Sequence, residues 1–369
     1  MIRNNVEIRP FEDCIKKVKY TKKVASQDFK ESGRFPIVSQ EEAFISGYWD
    51  NPDDVFSIDG PVVIFGDHSR HVKYVDFDFV IGADGVKILA PVDDINAKYF
   101  YYYLKSQRIQ SLGYSRHYKV LKEKMVPVPS LADQQRIVAE LDLLSGIVEK
   151  KNAQLRTLEI LAESLFIETF GNLIANDRNW RMGTLNEFIE DKKRILRATK
   201  FYKPDEVVHY IDISSIDNKA HSMTSTTEFV FNEAPSRAQQ IVQNGDVLVS
   251  MVRPNLRNVA IVSSEDKNLV ASSGFCVLRS LSSNGEFLKQ LVLSDFFTDY
   301  LLTRVSGANY PAVREEDIKE CKLGIPPAEL QLEFSNKIKA LETERLTIDS
   351  SLKTTQDLLA SRMDKYFSA

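Results

Sequence analysis

Cysteine is scarce and scattered. Three stand in 369 residues, Cys14, Cys276 and Cys321. An odd number without close spacing excludes a disulfide framework and speaks against a zinc site. A reducing cytoplasm is the expected compartment. No apolar run reaches the roughly 18 residues of a membrane-spanning helix. The opening MIRNNVEIRPFED lacks the apolar stretch of a secretory signal, so none is expected. No G-x-x-x-x-G-K-[ST] and no G-x-G-x-x-G occurs, which excludes the common phosphate cradles of a nucleotide motor. A strong charge of one sign is also missing. Lys and Arg number 48 against 52 Asp and Glu, a net charge of −4. A chain that coats nucleic acid unaided usually carries a basic balance. Any such role here needs local basic patches or a basic partner. With 43% hydrophobic and 27% charged residues, the chain reads as an ordinary soluble globular protein of two or three domains.

What the chain does have is an internal duplication. VPVPSLADQQRIVAELDLLSGIVEKKNAQLRTLEILAESLFIETF returns, 197 residues on, as GIPPAELQLEFSNKIKALETERLTIDSSLKTTQDLLASRMDKYF. Pro129 matches Pro326, Gln134 matches Gln331, Leu155 matches Leu352 and Phe170 matches Phe367. A gap-free match of this length predicts two long helices in one register, each behind a globular module. Proline fits the first helical turn and blocks extension backwards. Apolar residues then keep heptad spacing at Leu141, Leu144, Val148, Leu155, Leu158, Ala162 and Leu165, and again at Ile338, Leu341, Ile348, Leu352 and Leu359. Lys151, Arg345, Thr355 and Arg362 interrupt the seam, as residues that fix register do. About 38 residues at 1.5 Å rise give a rod of ~57 Å. Each helix could pack on its own module; matched length and register favour pairing with each other. The stretch 126–175 holds seven acidic and four basic residues, so part of the negative charge sits on the helices.

The modules match too. Glu12 aligns with Glu190, Lys19 with Arg197 and Lys22 with Lys200, an offset of 178 that makes the second module 19 residues longer. Strands are expected at 61–65, 74–82 and 86–89, and at 207–214, 246–252, 258–263 and 274–280, where β-branched and aromatic residues lie between turn formers. One helix follows in each, over 97–112 and 285–305. A glycine-led polar loop then leads to the prolines, GYSRHYKVLKEK in the first and GANYPAVREEDIKE in the second.

The run P-x-P-S-L-x-D-Q-Q-R-I-V leading a long helix resembles the conserved region of type I restriction–modification specificity (S) subunits. GDVLVSMVRPNLRNVAIV followed by ASSGFCVLRS resembles the central strands of their target-recognition domains. The second helix departs at Leu332 and Glu333, where the first has Gln135 and Arg136. The resemblance implies an α+β fold: two mixed α/β target-recognition domains joined by two long helices forming an intramolecular antiparallel coiled coil. The boundaries are 1–125, 126–175, 176–322 and 323–369. It implies a non-catalytic subunit of a cytoplasmic, prokaryotic phage-defence complex. Each domain would read one half of a bipartite, asymmetric sequence in double-stranded DNA. Two methyltransferase (M) subunits would dock on the chain, and restriction–motor (R) subunits would join the complex. No cofactor is expected on this chain; S-adenosylmethionine belongs to the methyltransferase. No Asn-Pro-Pro-aromatic tetrapeptide is present, and Asn51-Pro52-Asp53-Asp54 does not supply one.

Candidate DNA contacts sit in loops that gather Arg, Lys, Asn and Tyr. Arg253, Asn255 and Arg257 interrupt two strands, where Arg can bond guanine and Asn adenine in bidentate fashion. His68, Arg70, His71 and Lys73 hold the corresponding place in the first module. Arg116 and Lys119, and likewise Tyr310 and Arg314, lie in the polar loops, facing phosphate or the methyltransferase. The basic runs Lys16–Lys23 and Lys192–Lys200 are solvated faces or phosphate contacts. A solvated hairpin turn is the plain alternative for the loops, and His68 with His71 lacks further ligands for a metal. Two other readings compete: a magnesium nuclease using Asp205 or Asp246 with Glu265 and Lys267, and a coiled-coil scaffold that binds protein.

Overall fold

The computed structural model describes residues 6–110, 113, 115–190, 196–281, 284–307 and 310–368. Both expected long helices are present, Leu131–Phe170 and Ala328–Phe367, 40 residues each. A buried glutamine fixes the start of each. Gln134 Nε2 donates to the carbonyls of Pro129 and Asp94, both at 2.9 Å, while its Oε1 accepts from Asn96 N–H at 2.7 Å. Gln331 Nε2 donates to Pro326 O at 2.9 Å, and its Oε1 lies 3.4 Å from Asn284 Nδ2. Proline cannot close the backbone there, so the side chain satisfies a carbonyl that would otherwise be buried unpaired.

Two compact units result, and they do not follow the division into modules and helices. One holds residues up to Asn152 together with those from Asp349; the other is Ala153–Ile348. Each takes one module and half of each long helix.

In the first unit the strand Val62–Gly66 lies between Val72–Val75 and Val86–Pro91, with Ile15–Lys16 on the outer edge. A second sheet is built around Phe79–Gly82, which runs parallel to Lys23–Val24 and Phe35–Val38. The stretch 74–82, expected as one strand, therefore divides between two sheets. Asp78, just before the strand Phe79–Gly82, accepts the Ile58 N–H at 2.9 Å. The module helix Ala97–Ser106 turns Tyr99, Phe100 and Tyr103 into a core with Phe11, Phe65, Ile137 and Leu141. Phe367 from the second long helix closes this core, its ring 5.3 Å from Tyr99 and 6.0 Å from Tyr103. Arg362 Nε reaches Glu140 at 3.0 Å, and Lys151 donates to Ser351. As numbering rises on one helix it falls on the other, so the segments here are antiparallel. Two of the polar residues that interrupt the apolar seam thus bond across it.

The second unit repeats the plan. Val247–Ser250 lies between Val259–Ile261 and Phe275–Leu278. Val207–Ile211 and Leu269–Ser272 pair in parallel within a separate sheet. Phe287 on the module helix Gly285–Leu293 packs 5.0 Å from Phe170, and Phe334 lies 5.5 Å from Phe166 and 5.1 Å from Phe170. Here the end of the first long helix meets the start of the second, again antiparallel. The helix expected over 285–305 breaks in two. Ser294 accepts the Phe297 N–H at 3.3 Å and starts a new helix, Asp295–Leu302, with an acidic first residue.

Each module closes on a short ribbon. Glu7–Pro10 pairs with Met125–Val128, and Arg181–Thr184 with Lys322–Ile325. In the ribbons Glu7 faces Val128 and Arg181 faces Ile325; Phe11 N–H donates to Lys124 O, and Leu185 N–H to Cys321 O. The structural offset at the module start is therefore 174 residues, from Phe11 to Leu185, and not 178. The 178-residue match pairs charged residues by kind alone, whereas buried Phe11 and Leu185 set the register at the module start.

Candidate nucleic-acid interface

The hairpin turn and the polar loop, far apart in sequence, are neighbours in each module. In the first, Asp67 ends the Val62–Gly66 strand and is buried. Its carbonyl accepts from His117 N–H at 2.8 Å and its carboxylate from Tyr118 N–H at 2.8 Å. His117 is buried against this turn, with Nδ1 3.0 Å from the same carbonyl. Arg116 and Lys119, on either side of the latch, are exposed. Arg70 is also exposed, and one of its guanidinium nitrogens donates to Ile109 O at 2.9 Å. All three cations are carried by the latched turn and loop.

Lys73 does not join them. Its side chain is 6% exposed. Its ammonium donates to Ser39 O at 2.9 Å and also contacts the carbonyls of Ala43 and Phe44. Burial holds its pKa below the usual lysine value. Strand alternation turns Lys73 inward, so it anchors the 39–44 loop and cannot reach DNA.

In the second module the strand-to-strand connection carries Arg253, Asn255 and Arg257. A short 3-10 turn, Pro254–Leu256, lies between the two arginines. Arg253 N–H donates to Pro311 O at 2.8 Å, Val313 N–H donates to Met251 O at 2.9 Å, and Val252 bridges Ala312. This ladder brings Tyr310 and Arg314 to the arginine turn. Tyr310 is 76% exposed. Arg253 and Asn255 are exposed, and the Arg253 guanidinium has no hydrogen bond or ion pair among the described residues. Arg314 projects into solvent, with only a loose 3.6 Å approach to Asp317. Arg257 is partly committed, because its guanidinium pairs with Asp295. Of the basic run Lys192–Lys200, residues 192–195 lie outside the described residues.

One feature was not visible in the residue pattern. Arg70, Arg253 and Arg257 all adopt left-handed backbone, with φ of 66°, 49° and 48°. Long side chains avoid this region at about 1–2 kcal/mol per residue. Strain of this kind gathers at functional sites.

The carboxylates of the nuclease reading are not gathered. Asp246 is buried and forms an ion pair with Arg279 at 2.7 Å, which staples two strands. Among the described residues no group of three or more His, Cys, Asp or Glu stands ready to hold a metal. Among them, too, no helix is long and apolar enough to cross a membrane.

The family described as "Type I restriction modification DNA specificity domain" matches residues 4–158 and 177–355. The chain belongs to this DNA specificity family. Its two matched segments correspond to the two copies seen in the duplication. Among specificity subunits, that of the Escherichia coli EcoR124I/EcoR124II enzyme is 28% identical over 145 residues, 36% of either chain. That of the Methanocaldococcus jannaschii MjaVIII enzyme is 19% identical over 264 residues. That match covers 65% of this chain, and the chain spans 62% of the archaeal relative's length and 36% of the bacterial one's. A solved specificity-subunit structure from M. genitalium has a TM-score of 0.62 at 15% identity, covering 100% of this chain and 97% of that one. This likeness is one of fold. In this specificity-family chain the latched turn-and-loop surface occurs once per module.

Proposed function

We propose that this chain is a DNA specificity subunit that reads a bipartite, asymmetric target, one half-site per module. It performs no chemistry itself. It presents bound DNA to two methyltransferase subunits that carry S-adenosylmethionine, and restriction–motor subunits join through that complex, in a prokaryotic cytoplasm. The observation that carries the reading is the pairing of hairpin turn and polar loop in each module, with exposed arginines in left-handed backbone. Arg253 and Asn255 offer donors to base edges, and Tyr310 and Arg314 to the backbone beside them. In the first module Arg70, Arg116 and Lys119 do the same work. The surfaces differ, which favours an asymmetric target. Two weak readers held in one chain gain affinity by effective concentration, which suits a net charge of −4.

The test is methylome sequencing of cells that carry the chain with its methyltransferase. A two-part adenine-methylated motif is expected, lost from both halves when the chain is deleted. Methylation that persists without the chain would overturn the reading. So would DNA cleavage or methyl transfer by the purified chain alone.

A further inference from the structure

At matched positions the module helix and the long helix carry opposite charges, in opposite order in the two units. In the first unit Lys98, on the module helix, places Nζ 2.9 Å from Asp142 of the long helix. Tyr102 OH donates to the same carboxylate at 2.6 Å and lies 3.3 Å from Ser145 Oγ. Lys98 also stands 5.5 Å from the centre of the Tyr74 ring.

Equivalent positions in the second unit follow from shared contacts. Asn96 and Asn284 both precede a module helix and both meet the clamp glutamine, Gln134 or Gln331. Phe367 packs on Tyr99 as Phe170 packs on Phe287. Lys98 therefore corresponds to Glu286, Asp142 to Lys339 and Ser145 to Glu342. Glu286 and Lys339 line one cavity of about 260 Å³. Burial pushes the Glu286 carboxyl up, Lys289 and Lys339 pull it back, and Glu342 adds to the rise. Glu342 is itself held by Arg345 at 2.6 and 2.9 Å. At this matched pair of positions the cation sits on the module helix in the first unit and on the long helix in the second, where Lys289 adds a further cation on the module helix.

We infer that this inverted pair is a docking key: Lys98 with Asp142 and Glu286 with Lys339 seat each module on its own helix segment and reject the other. A module docked on the wrong segment sets Lys98 against Lys339, or Glu286 against Asp142. Half-exposed pairs add little stability in the right arrangement. Their use lies in the repulsion that the wrong arrangement meets. The inference is independent of whether the modules read DNA, because its readout is stability.

Thermal unfolding of the full chain tests it. Lys98→Glu and Asp142→Lys should each lower the first unit's melting temperature by about 2–4 °C, the shift expected of ~1 kcal/mol in a domain of this size. The double variant should regain at least half of the loss. Glu286→Lys and Lys339→Glu should behave alike in the second unit. If a reversal does not fold, a cycle of Lys98→Met and Asp142→Asn reads the same coupling, and additive losses there reject the key. In a chain carrying the second module in both places, Asp142→Lys should raise the melting temperature. Doubles that recover nothing, or an exchanged chain indifferent to Asp142→Lys, would overturn the inference.

Discussion

Replacing Arg253 by glycine should move stability and recognition in opposite directions. Arg253 has φ of 49°, an exposed side chain and no partner for its guanidinium among the described residues. Its left-handed backbone costs about 1–2 kcal/mol for any residue with a Cβ. Glycine removes that strain but loses roughly 0.4–1 kcal/mol through the greater freedom of the unfolded chain. The net is a gain of up to ~1.5 kcal/mol in the second unit, with a melting temperature unchanged or a few degrees higher. Binding should suffer instead. A bidentate contact to a base is worth about 1–3 kcal/mol, a factor of roughly 5 to 150 at the base it reads. Arg253→Ala keeps the strain and loses the contact, so it should match the parent in stability and the glycine variant in recognition. Unfolding of the full chain gives the first quantity. Competition binding with DNA altered in one half-site, together with methylome sequencing, gives the second. The reasoning is refuted if Arg253→Gly melts lower than the parent, which would make the side chain a packing element. It is also refuted if both half-sites weaken equally and the salt slope falls, which would make Arg253 a phosphate contact.

Lys73→Met should do the reverse, lowering stability by about 1–3 kcal/mol because the buried Ser39 carbonyl loses its donor, while half-site preference stays intact in the methylome. Phe334→Ala, which empties a fully buried site between Phe166 and Phe170, should cost about 3–5 kcal/mol in chemical denaturation. Stability should also depend on His221, which lines a cavity of about 290 Å³ with Arg257, Lys289, Glu159 and Glu342. Burial, then Lys289, pull its pKa from 6.5 to about 4, against the opposing pull of Asp217. The unfolded chain therefore binds this proton more readily, so the contribution is full above pH 6.5 and is lost as pH falls towards 4. His221→Asn should flatten the decline in melting temperature between pH 7 and pH 4.5; an unchanged decline would assign it to other groups.

The long helices and the two-module plan were legible because a gap-free match fixes length and register at once. The strands flanking both hairpins were legible through their apolar runs. Of the candidate site, residue type marked Arg70, Arg116, Lys119, Arg253, Asn255, Tyr310 and Arg314, and the fold leaves these side chains exposed. Nothing in one dimension joins Asp67 to His117 or Arg253 to Pro311, because those bonds are set by the closing of each module. Lys73 misled for a related reason, since a charged residue on an alternating strand does not declare which face it takes. The closing ribbons escaped notice because four-residue strands pairing over more than 100 residues leave no local signal. Ser294 broke a helix whose apolar period runs straight through it, a case of capping outweighing pattern.

The split of each long helix between two compact units bears on how the chain is made. The second unit, Ala153–Ile348, is contiguous and has all its residues once position 348 has been translated. The first is not. Its core needs Phe367, which seats on Tyr99, so a module made early waits for a stretch made much later. At about 5–20 residues per second, the roughly 200 intervening residues keep the ribosome busy for some 10–40 s. During that time Tyr99, Tyr103 and Leu141 lack their lid, and a chaperone that shields aromatic surface would find its substrate there. A stop codon placed just before Asp349 would leave the second unit with every residue it uses and the first without its closing segment.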